Sequence, residues 1–205
     1  MILEERNKRK ARLLHMVELA VLTAVVLVLQ LTGLAIKLPF LATGISLVLV
    51  PIVLGGMLLG PWAGAWLGFV FGLVVYVVGG VMATDVFTYT LFSAHPIITA
   101  IICFGKGIGA GFLPGLMYRL LEKWNSFGAT VVASVLAPVV NTGWFIAGCL
   151  TIQETLKGFA GDSSVIYFLF IGCAGFNFLF ELLVNVLFAP ALFRVETVVR
   201  RRLMR

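Results

Sequence analysis

"FGKGIGAGFLPG", residues 104–115, sets one lysine among five glycines in the middle of a long apolar run. A bare ammonium in hydrocarbon costs at least ~2.5–3.5 kcal/mol on insertion scales, so Lys106 needs a reason. A phosphate-cradling loop is the first one to test. That loop requires G-x-x-x-x-G-K-[ST] between a strand and a helix. Here Lys106 is followed by Gly107, and the flanking residues are continuously apolar. Spacing and context both reject the loop. The stretch is a membrane helix that carries a buried cation.

The rest of the chain agrees. It has 205 residues, 61% hydrophobic and 12% charged, with a mean hydropathy of +1.10. Soluble domains carry about 25% charged residues, so too little polar surface exists here to cover a soluble globule. The fold class is an all-α polytopic membrane protein, expected as a single domain over residues 1–205. Six spans are expected, at about 13–35, 44–59, 62–81, 96–121, 127–151 and 164–190, with loops near 36–43, 82–95 and 152–163 between alternate pairs. The basic start and first apolar run resemble a signal peptide, but the run is too long for one and is read as retained.

The basic residues set the orientation. Arg6, Lys8, Arg9, Lys10 and Arg12 precede the first span, and Arg194, Arg200, Arg201, Arg202 and Arg205 follow the last. Arg119 and Lys123 fall in one internal loop. Positive clusters beside spans mark the cytoplasmic side, so both termini are expected there. Trp62 and Trp124 then sit near inner interfaces. These clusters suit anionic lipid headgroups; no aromatic interleaving points to nucleic acid. Cys103, Cys149 and Cys173 are isolated in apolar runs, with no metal or disulfide spacing.

Gly107, Gly111 and Gly115 recur every four residues on one helix face, and Gly64, Gly68 and Gly72 do the same on another. Such ladders let helix backbones approach closely. They serve either packing within the chain or a surface that slides against a partner.

The polar groups inside the spans are the functional candidates: Gln30, Lys106, Asn141, Asn177 and Glu181, with Asn185 beside them. Counted at 1.5 Å per residue, Lys106, Asn141 and Asn177 lie roughly 15–20 Å below the outer surface, at one level. Trp144 and Phe145 share a face with Asn141. Asn177, Glu181 and Asn185 form a stripe at i, i+4, i+8. Asn141 and Asn177 beside aromatics favour a ligand pocket. Two alternatives stay open: Glu181 pairs with Lys106 as an internal bridge, and Asn185 bonds a neighbouring helix. His95 before Pro96 is read as a turn residue, and Asp85 and Asp162 as solvated loop charges. No nucleophile–base or metal cluster appears, so no catalytic residue, metal or cofactor is assigned.

A small-residue pair, Ala20 and Ala24, lies in "ELAVLTAVVLVLQ" of the first span. With six helices and basic ends, the chain resembles the S component of an energy-coupling factor (ECF) vitamin transporter. "SLVLVPIVLGGMLLGPWAGAWLGFVFG", "GKGIGAGFLPGLMYRLL", "APVVNTGWFIAGC" and "GFNFLFELLVNVLFAPAL" are similar to helices of its pantothenate/folate-like branch. The resemblance implies a subunit of a prokaryotic cell membrane that binds a vitamin on its outer side and docks through Ala20 and Ala24 onto a T subunit. Two ATPase subunits then hydrolyse ATP. This chain is not an enzyme on that reading and carries no nucleotide motif.

Lys106 is a counter-ion for an anion, with Asn141 and Asn177 reading amides or hydroxyls and Trp144 and Phe145 forming an apolar wall. Glu181 and Gln30 complete the expected set. Pantothenate, with one carboxylate, one amide and two hydroxyls, fits this short set best. Folate, riboflavin and cobalamin remain as other vitamins, and a compact secondary transporter or channel as another class.

Overall fold

The computed structural model describes residues 2–35, 47–161 and 163–203. The described residues are helices and short turns. The expected loop at 36–43, Asp162 and the extreme termini lie outside them.

Helix α1 (Ile2–Ala35) carries the first expected span, and α2 (Leu49–Leu58) covers most of the second. Gly60, at φ +106°, makes the sharp turn before Pro61, which opens α3 (Pro61–Val74) at its first position. Wider π-helical turns prolong α3 through Val75–Val81. Helices α4 (Val86–Ala94), α5 (Pro96–Leu121) and α6 (Ser126–Cys149) follow. A short α7 (Gln153–Ala160) then precedes a continuous rod: α8 (Val165–Tyr167), π turns over Phe168–Gly175, and α9 (Phe176–Leu203).

Five of these rods are long and apolar enough to cross a bilayer. The second expected span is the exception. Ten residues rise about 15 Å, half of a hydrocarbon core of about 30 Å. Its environment explains how it stays helical. Leu49, Ile52, Val53 and Met57 are buried against α1, α3, α5 and α9, so protein rather than lipid surrounds it.

Two expected loops are corrected. Residues 82–95 hold α4, and residues 152–163 hold α7. Both helices are short and partly polar, so hydropathy alone reads them as loop. Asp85 starts α4 as its cap, its Oδ2 accepting from Thr88 N at 2.8 Å and Thr88 Oγ1 at 2.6 Å. His95 ends α4, and its Nε2 lies 3.1 Å from Thr155 Oγ1, tying α7 to the start of α5.

The glycine ladders meet each other. A methyl at Gly68 would strike the carbonyl of Gly107, one at Gly64 the carbonyl of Gly111, and one at Gly72 the carbonyl of Cys103. Gly115 faces Gly56 of α2 in the same way. The ladders therefore pack α3 and α2 against α5 within the chain. In lipid, where apolar burial gives no driving force between helices, such close contact supplies the dispersion energy that holds them.

Because the opposing atoms are backbone, the contact cannot yield to a new side chain. Gly68→Ala is expected to cost about 1–3 kcal/mol, the usual range for overpacking. Gly158→Ala, at a site with nothing within 4 Å, is expected to be neutral or slightly stabilising. Unfolding of the two purified variants in detergent checks the difference.

Candidate functional site

The close α3–α5 contact places Lys106 beside Phe71. Its ammonium lies 5.2 Å from the centroid of that ring and 5.7 Å from the Phe145 ring of α6. A desolvated cation over two aromatic faces is stabilised by their quadrupoles. The expected alternative, an ion pair with Glu181, is not formed: among the described residues Lys106 has no carboxylate within 4.0 Å.

Glu181 is held differently. It is 2% exposed, and its Oε2 accepts from Asn141 Nδ2 at 3.1 Å. Asn185 Nδ2 donates to the Glu181 backbone carbonyl at 2.8 Å. Asn185 therefore bonds within its own helix rather than across to a neighbour through this group. The bond to Glu181 uses the Asn141 amide nitrogen, while Asn141 Oδ1 is buried without a hydrogen-bond partner. An orphaned buried acceptor of this kind calls for a donor that the described residues do not provide.

One cavity gathers these groups. It is partly open to its surroundings and lined by polar and aromatic side chains together, as small-molecule sites are. Gln30 comes from α1, Lys106 from α5, Asn141 and Phe145 from α6, and Asn177 and Glu181 from α9. Six of the seven side chains expected to bind substrate thus share one space, although they are spread over more than 150 positions of the chain.

Trp144 is the seventh, and the structure puts it elsewhere. It is 47% exposed, its indole lies on Gly105, and its Nε1 donates to the Ile101 carbonyl at 3.1 Å. Phe145 lines the cavity alone of that pair, because adjacent residues on a helix point about 100° apart. Trp144 staples α6 to α5.

Several lining groups escaped the sequence reading. Phe71 sits on an apolar helix with no polar signal. Phe87 and Thr88 belong to α4 and Asp85 caps it, in a segment whose hydropathy reads as loop. Val75, Cys173 and Ala174 come from the two π-helical stretches. Such turns cluster at functional sites in general, and both here border the cavity.

Ala20 and Ala24 are exposed on α1, on a face that also shows Val17, Val21 and Val28. Among the described residues, no group of three or more histidine, cysteine or carboxylate side chains is arranged to hold a metal.

The model of the family "ECF transporter, substrate-specific component" matches residues 14–193. The chain belongs to this family. It is therefore an S component: a membrane subunit that binds substrate for an ECF module of T and ATPase subunits, and not itself an enzyme. No curated protein matches it in sequence.

If Trp144 is a staple rather than a wall of the site, Trp144→Phe should cost about 0.5–1.5 kcal/mol of stability, the worth of one hydrogen bond. Ligand affinity should stay within a factor of about two. Thermal unfolding and calorimetric binding on the same preparation separate the two effects.

Proposed function

We propose that this S component captures pantothenate at the outer side of a prokaryotic plasma membrane and delivers it for ATP-driven uptake. The single observation behind the choice is the state of Lys106. Its ammonium borders the cavity, is held by two rings, and has no carboxylate partner in reach among the described residues. A ligand carboxylate completes it with a charge-assisted hydrogen bond. Asn141 Oδ1, lacking a donor, suits an amide N–H or a hydroxyl. Gln30, Asn177 and Glu181 add polar contacts, and Phe145 and Phe71 an apolar wall. Pantothenate offers each of these counterparts. Folate would bring a second carboxylate, and among the described residues the cavity holds no second cation to meet it.

The membrane arrangement follows from the same family and from charge. On this reading the chain crosses six times, with α2 in the second crossing, and both basic ends face the cytoplasm. The exposed Ala20–Ala24 face of α1 then lies in the half of the bilayer from which a T subunit approaches. Small residues there let a coupling helix come close. The two ATPases act from below through that subunit.

The purified chain alone is expected to bind pantothenate, and not folate, riboflavin, thiamine, biotin, niacin or cobalamin, when tested by calorimetry. Lys106→Met should weaken pantothenate by about tenfold or more, since bonds to charged groups are worth about 1.5–3 kcal/mol. Ala20→Trp and Ala24→Trp should leave that binding intact and abolish ATP-dependent uptake by the assembled complex. Unchanged affinity in Lys106→Met would remove the counter-ion role.

A further inference from the structure

The cavity carries two carboxylates against one ammonium, and the second carboxylate is Asp85. It belongs to no expected set of binding residues. As the cap of α4, it uses one oxygen for the fold: Oδ2 accepts both Thr88 bonds. Among the described residues, Oδ1 has no hydrogen-bond donor. One oxygen thus pins the side chain, which lines the cavity, while the other makes no hydrogen bond to the described residues.

Its place relative to Lys106 follows from the rings. The Lys106 ammonium lies over Phe145, Phe145 lies 5.9 Å from Phe87, and Phe87 is two residues from Asp85. The ammonium and this carboxylate therefore border the same aromatic lining, and among the described residues they do not pair with each other. A molecule that merely carried negative charge would meet repulsion at the Asp85 end. A molecule with an anionic end and a donor-bearing end, joined by a stretch that lies on the rings, satisfies both.

We infer that Asp85 Oδ1 is a specificity-determining acceptor, which receives hydroxyl or N–H donors from the end of the ligand remote from Lys106. This inference rests on the proposed function of the same cavity. It orients the ligand: carboxylate toward Lys106, hydroxyl end toward α4. It also adds a requirement, since an anion without donors at its far end leaves the Asp85 carboxylate desolvated and unpaired.

The test uses pantothenate and pantothenol, which replaces the carboxylate by an alcohol and keeps the other end. The purified full chain is compared with Asp85→Asn and Asp85→Ser by calorimetry. Both substitutes cap helices well, so α4 is retained, and agreement between them excludes a folding effect peculiar to one. The expected result is a loss of about ten- to a hundredfold for both ligands, with their ratio preserved. Lys106→Met should instead abolish the preference for pantothenate over pantothenol.

A bystander charge gives the opposite sign: neutralising it would tighten pantothenate and leave pantothenol unchanged, which overturns the inference. Affinities within twofold of the unaltered chain for both ligands overturn it too. If the unaltered chain binds neither ligand, the proposed function falls first and the Asp85 assignment with it.

Discussion

The contact between the glycine faces of α3 and α5 is the constraint on which the site depends. Gly64, Gly68 and Gly72 meet Gly111, Gly107 and the backbone of Cys103 without intervening side chains. Two helices that close share one wall, so Lys106, flanked by Gly105 and Gly107, is carried directly over Phe71 of the neighbouring helix. Were side chains to separate these helices, that ring would retreat and the cation would lose half of its aromatic support. The same closeness leaves the opposite side of α5 free for α6, whose Phe145 supplies the second ring. Packing and site are thus two consequences of one approach.

The half-buried Lys106 cation is tolerable without a bridge because the Phe71 and Phe145 rings flank it. Glu181 is nearby in the same cavity but spends its side chain on Asn141. Had the ammonium and carboxylate joined, both would be neutralised and the cavity would present little to an ionic ligand. Keeping them apart leaves each side chain capacity for another partner. Asp85 commits one oxygen to the start of a helix and leaves the other outside the hydrogen bonds of the described residues. On the proposed reading, fold and binding draw on different atoms of the same residue.

The candidate site was largely legible in the sequence because hydrocarbon penalises polar groups so strongly. Gln30, Lys106, Asn141, Asn177 and Glu181 stand out in apolar runs, and counting residues from the outer ends set three of them at one depth. That count treats each helix as a straight ruler and needs no knowledge of its neighbours. It could not say which way a side chain turns about the helix axis. Trp144 and Phe145 differ by one residue, yet one clamps the backbone of α5 and the other faces the cavity. Asp85 was missed for another reason. Its segment is short and polar, and only its packing as α4 brings it to the cavity wall.

Composition, charge placement and residue spacing by themselves determined that the chain lies in a membrane, where its long helices run, and which polar residues are out of place there. These are one-dimensional properties, set by the cost of moving each residue from water to lipid. The tertiary structure decided which glycine faces meet, that Lys106 rests on rings rather than on Glu181, and that α2 is walled by protein. It also decided that the short helix α4 completes the cavity. Those outcomes depend on the rotation and approach of helices distant in sequence, which close packing selects and which no local pattern encodes.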